Sequence, residues 1–124
     1  MEKPRFRYFK RANGHSEFLE FLSSLPTKDQ AKLLSAIQIT QDKGIAIASR
    51  LKITKKLTDN LYELRSKQSS NIQRALYFHI VGNDYVITHG FTKKTDRTPP
   101  AEIAHAIELR AEFFARYKED ENNG

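Results

Sequence analysis

The chain reads as a small α+β domain in the order β-α-α-β-β-β-α, an antiparallel sheet packed against an N-terminal helical hairpin and a C-terminal helix. Three observations predict it. The apolar period lies near four residues from 16 to 44, changes to two between 61 and 91, and returns to about four after 100. Pro26, Gly44, Gly82-Asn83 and Pro99-Pro100 fall at the borders of these elements. The length of 124 residues, with 39% hydrophobic and 29% charged side chains, suits one core and not two, so residues 1–124 are expected to form a single domain.

Each element has a local reason. PRFRYFK (4–10) alternates as an edge strand, with Pro4 where a missing donor costs least, and Asn13-Gly14 makes a turn. From Ser16, Phe18, Leu19, Phe21, Leu22 and Leu25 fall at helical spacing until Pro26. Thr27-x-x-Gln30 has the form of a capping box for a second helix, which carries Leu33, Leu34 and Ile37 and ends at Gly44. IAIASRLKITKKLTD (45–59) carries no clear period. LYELRS (61–66), NIQRALYFHI (71–80) and DYVITHGF (84–91) read as strands, joined by a polar loop at Lys67 to Ser70 and a turn at Val81 to Asp84. The last helix opens at proline, places Glu102 in its first turn and aligns Ile103, Ile107, Phe114 and Tyr117, with fraying expected in EDENNG. The helices are expected on one face of the sheet.

Composition narrows the function. With no cysteine, neither disulfides nor thiolate metal sites are available, and four scattered histidines do not have metal-site spacing. No segment reads as a signal peptide or membrane span, so no membrane partner is expected and the cytoplasm is the default location. Residues 50–97 hold ten Lys/Arg against four acids, and the rest of the chain holds eleven of each sign, so the whole net charge of +6 sits in this segment. A localised excess of cations suits a polyanion.

Strand parity and antiparallel order bring those cations together. Arg65 ends one strand, Arg74 opens the next, and His89 shares a face with Tyr85, Ile87 and Phe91 before Lys93 and Lys94 end the third. All are expected at one rim of the sheet, where Lys55 and Lys56 arrive from the preceding loop. Cleavage of RNA by its own 2′-hydroxyl needs a base, cations for the phosphorane and an acid for the 5′-oxygen, and no metal. Lys56, Arg65, Arg74, His89 and Lys94 are the catalytic candidates; Arg50, Lys52, Lys55, Lys93 and Arg97 are the RNA-binding ones. The base remains open among Lys56, Lys94 and His89. Ion pairing, with Glu63 for instance, competes as the role of either arginine, and His15, His79 and His105 read as structural.

The set KKLTDNLYELR, QRALYF and HGFTKKTDRTPPAEIAHA resembles the RelE/HigB superfamily of type II toxin-antitoxin toxins, in particular its HigB-like, phage-derived Gp49-like branch. The detailed resemblance runs from Lys55 to Ala106. It implies a RelE-like fold and a metal-independent, cofactor-free endoribonuclease that cuts mRNA in the ribosomal A site. It further implies a helix-turn-helix, HigA-like antitoxin and contact with operator DNA only through the antitoxin complex. The family's basic positions fall on Lys55, Lys56, Arg65, Arg74, Lys93 and Lys94. Two positions depart from it: Ile103 stands where RelE has a catalytic tyrosine, and Gln73 where relatives often carry an aromatic. The alternatives are a ParE-like inhibitor of DNA gyrase or a domain that only binds nucleic acid.

Overall fold

The structure, a computed structural model, describes residues 3–68 and 70–123, with side chains through Lys118. Strand β1 (Arg5–Tyr8) is followed by α1 (Glu17–Ser24), α2 (Thr27–Lys43) and α3 (Ile45–Arg50). Strands β2 (Thr54–Thr58), β3 (Leu61–Gln68), β4 (Asn71–Val81) and β5 (Asp84–Lys93) come next, and α4 (Pro100–Asn123) closes the chain. Five strands form one sheet in the order β1-β5-β4-β3-β2. Neighbours among β2 to β5 are antiparallel, as expected, but β1 lies parallel to β5, which makes the sheet mixed.

The helix caps explain two boundaries. Ser16 Oγ accepts the Leu19 N–H at 3.2 Å and opens α1. The expected capping box at Thr27 does not form: Pro26 occupies the cap position, Thr27 is already helical, and the Gln30 amide donates to the Leu25 carbonyl instead. Gly44, at φ +93°, ends α2 and opens α3, a left-handed bend that glycine permits at little cost. The segment without a clear period thus divides into α3 and β2. The loop at Lys67 to Ser70 is shorter than expected, β3 reaching Gln68 and β4 beginning at Asn71, and its Ser69 lies outside the described residues. Backbone helix continues through the tail expected to fray, as far as Asn123, and Gly124 lies outside the described residues.

Helices cover both faces of the sheet, not one. Phe18 and Leu33 pack with Leu64, Ala75, Tyr77 and Ile87 beneath α1 and α2. On the opposite face Leu109 of α4 packs with Phe9, Phe78 and Val86, and Ala106 with Leu61, Leu76 and Phe91. Every residue from Ile72 to Phe78 is buried, which is what a central strand between two layers requires. The core-facing residues of α4 are accordingly Ala106 and Leu109, with Ile103, Phe113 and Phe114 beside them, whereas Ile107 of the expected stripe is exposed.

One irregularity redirects β5. Leu76 pairs with His89 but Tyr77 pairs with Ile87, so Thr88 is an extra residue in a β-bulge, its hydroxyl donating to the Leu76 carbonyl at 3.1 Å. The bulge turns His89 and Phe91 to the α4 side while Ile87 stays beneath α1 and α2. His89 therefore does not share a face with Tyr85 and Ile87 as regular alternation predicts.

Candidate nucleic-acid interface

Register creates the rim and a conflict within it. Ile72 pairs with both Lys67 and Lys93, so the end of β3, the start of β4 and the end of β5 meet at one edge. Arg65 and Arg74 are direct cross-strand partners, and like charges so placed repel. Each has its own acid. Arg65, with 25% of its side chain exposed, lies 3.8 Å from the exposed Asp96 carboxylate. Arg74 turns inward, where its Nη1 lies 3.3 Å from Glu63 Oε1 and both side chains are fully buried.

The buried pair holds a loop from below. Arg74 Nη1 donates to the Asp96 carbonyl at 3.3 Å and Nη2 to the Thr95 carbonyl. Glu63 Oε1 accepts from Thr98 Oγ1 at 3.0 Å, and Lys55 Nζ stands 3.7 Å from Oε2. The fork geometry of a guanidinium suits this task, since several donors leave one rigid plane. Arg74, expected as a catalytic cation at the rim, thus lies under the loop with no exposed surface; the need to neutralise Glu63 in the core explains its direction.

The end of β5 and that loop present the exposed cations. Lys93, Lys94 and Arg97 are all exposed, and no carboxylate among the described residues lies within 4 Å of them. Beside the loop, an open cleft of about 710 Å³ has Ala36, Ile39, Ile53 and Ile72 in its lining and Lys32, Lys52, Arg65 and Lys67 around them. Lys52 sits at φ +63°, a left-handed conformation that non-glycine residues seldom hold, and the Ile53 carbonyl that follows accepts the Arg65 N–H at 2.8 Å. This places the α3–β2 connection, with exposed Arg50 and Lys52, against the rim. Lys55 and Lys56 separate by strand alternation. Lys55 pairs with Glu63 and shares its face, whereas Lys56 pairs with Tyr62 on the other, so the structure does not bring Lys56 to the face of Arg65 and Arg74.

His89 is also withdrawn from the rim. It is only 5% exposed and sits in the strand opposite Leu76. Its Nε2 meets Glu102 Oε1 at 3.2 Å, Nδ1 meets Thr88 Oγ1 at 3.1 Å, and its ring lies 4.7 Å from that of His105. Burial pushes the imidazole below its ordinary pKa and the His105 charge adds to this, while Glu102 opposes it. His105 in turn bonds Glu17 at 2.7 Å. Burial would raise the Glu17 carboxyl, but its bonds to His105 and Arg11 hold it below the ordinary range. These contacts fasten α4 to β5 and α1. His79 and His15 have local partners too, the Gly82 carbonyl at 2.7 Å and Glu20 at 3.0 Å.

The sequence offers Glu63 as an ion-pair partner for either arginine but not as a support of the basic loop, and it does not single out Thr98, Lys32 or Lys67. The available signal was parity: Glu63 lies two residues before Arg65, on the same face as the arginine opposite. Lys32 joins the cleft because its Nζ donates to the Lys67 carbonyl at 3.1 Å, a tertiary contact without a sequence mark. Among the described residues no helix is long and apolar enough to cross a membrane.

A search among curated proteins found no match to the chain. The model of one family, described as "Phage derived protein Gp49-like (DUF891)", matches residues 20–111, well over half of the chain. The match spans α1 to the middle of α4, and so includes the whole basic rim and its buried supports. The chain belongs to this Gp49-like family, which is part of the RelE/HigB-like toxins.

Proposed function

We propose that the protein is the toxin of a type II toxin-antitoxin pair and acts as a metal-independent endoribonuclease on mRNA in the ribosomal A site. The observation that carries this reading is the loop with Lys93, Lys94 and Arg97 exposed, moored by Arg74 and Glu63 beside Arg65 in a chain of a toxin family. A rim preset in this way provides positive charge before the substrate arrives, and electrostatic preorganisation of this kind lowers a barrier at no cost of reorganisation.

In the proposed reaction the 2′-oxygen attacks phosphorus and the bond to the 5′-oxygen breaks, leaving a 2′,3′-cyclic phosphate and a 5′-hydroxyl. Lys94 is the proposed acceptor of the 2′-hydroxyl proton; an arginine guanidinium stays charged and cannot take it. Arg65 and Lys93 stabilise charge on the phosphorane, and the leaving oxygen takes its proton from a neighbouring ammonium or water. Arg50, Lys52, Lys55 and Arg97 hold adjacent phosphates. Arg74 and His89 act as positioning residues, the first beneath the basic loop and the second between β5 and α4. A helix-turn-helix antitoxin is the proposed partner, with operator DNA met only through that complex.

The test is a reconstituted translation reaction on an unlabelled message, with new 5′-hydroxyl ends labelled by polynucleotide kinase. The wild type produces ribosome-dependent fragments that accept label; Arg65→Ala produces none and keeps its circular dichroism spectrum and melting temperature. Full cutting by a folded Arg65→Ala protein, or fragments carrying 5′-phosphates, would reject the mechanism.

A further inference from the structure

The β1 edge of the sheet carries a second group of cations that the rim does not use. Between the outer side of β1 and the last turns of α4 lies an open groove of about 430 Å³, with Arg7, Lys10, Arg116, Phe113 and Tyr117 in its lining. Among the described side chains no carboxylate is in that lining. Of the described acids nearby, Asp84 lies 3.1 Å from Arg5 and 3.9 Å from the groove's Arg7, and Glu112 bonds Arg11 at 3.2 Å. Arg7 keeps 57% of its side chain exposed, and Lys10 is exposed.

The aromatic part is flat. Phe113 and Tyr117, one helical turn apart, stack at 5.6 Å with planes 15° apart, and both remain partly exposed. Arg116 lies over the Phe9 ring at 5.4 Å and donates from Nη2 to the Lys10 carbonyl, which fixes the guanidinium as a wall between strand and helix. Its Nε is buried with no partner. The rim cleft is different, since its apolar lining is aliphatic.

Ring faces surrounded by cations are the arrangement that holds unpaired nucleotides: the base stacks and its phosphates meet the charges. An acidic peptide would use the cations but would gain little from flat rings. We propose that this groove is a second, sequence-independent binding site for single-stranded RNA. Helix α4 joins the two sites: Pro100 lies near the rim and Tyr117 in the groove, roughly 25 Å apart at 1.5 Å per residue. The inference shares the RNA assignment with the proposed function but not its chemistry.

The experiment measures fluorescence anisotropy with a labelled 2′-O-methyl oligouridylate, which cannot be cleaved through its 2′-oxygen, across a range of salt. Tyr117→Ser removes a stacking ring without changing charge and is expected to weaken binding about tenfold. Arg7→Gln and Lys10→Gln are each expected to lower the salt slope by about 0.7. The Tyr117 effect should persist in an Arg65→Ala, Lys94→Ala background, which isolates the groove from the rim. Binding by folded Tyr117→Ser equal to wild type overturns the proposal, as does Tyr117-dependent binding of a polyglutamate peptide that the RNA does not displace. If the wild type binds through Tyr117 but never cuts mRNA, the groove stands and the nuclease reading fails.

Discussion

Replacing Arg74 with methionine tests the claim that a buried ion pair holds the basic loop. The substitution keeps much of the side-chain volume but removes the group 3.3 Å from Glu63 and the donors to the Thr95 and Asp96 carbonyls. Glu63 is then left buried with Thr98 and a lysine at 3.7 Å. Breaking one side of such a pair costs about 3–5 kcal/mol, because the remaining charge is stranded. Against a total stability of about 5–15 kcal/mol this weakens the fold severely. With a urea slope of about 2 kcal/mol/M, the unfolding midpoint should fall by roughly 1.5–2.5 M. The double substitution Glu63→Leu, Arg74→Met removes both charges and should recover at least about 1 kcal/mol relative to the sum of the single changes. A single variant within 1 kcal/mol of wild type, or strictly additive losses, would refute the reasoning.

Three further outcomes follow from the same geometry. His89 has a depressed pKa when folded, so its contribution is full above the unfolded value near 6.5 and is lost as pH falls through the folded one. Stability measured by urea titration should therefore decline as pH falls below about 6.5, above the carboxylate range in which Glu17 acts, and His89→Gln should flatten the decline; an unchanged slope would remove the assignment. A Cβ on Gly90 would stand 2.3 Å from a Phe21 ring carbon and 2.9 Å from the Arg74 carbonyl, so Gly90→Ala should cost about 1–3 kcal/mol in thermal or urea unfolding. Thr98→Val removes the hydroxyl that bonds Glu63, and amide hydrogen exchange at residues 94–97 should quicken while β4 stays protected.

What the chain disclosed about itself depended on whether neighbours in sequence or in space carried the signal. Amphipathic spacing and punctuation suffice for α1, α2, β3 to β5 and α4, because each is a local pattern. Strand β2 is not legible in the sequence because TKKLT is an edge strand whose lysines blunt its apolar period. The run from Ile72 to Phe78 held the evidence for helices on both faces, since it lacks the polar alternation of a half-exposed strand. For the site, antiparallel order alone brought Arg65, Arg74 and Lys93 to one edge. The direction of Arg74 depended on register, which sets it opposite Arg65 and near Glu63. The Thr88 bulge could not be read from alternation, because a bulge is a break in that alternation.

The most direct measurement is a map of mRNA 5′ ends by primer extension after induction of the wild type and of Lys94→Ala in bacterial cells. The account predicts new ends inside translated frames, lost when initiation is blocked and absent in a folded Lys94→Ala variant. Growth arrest with intact mRNA and broken or supercoiling-defective DNA would contradict it and point to a gyrase inhibitor.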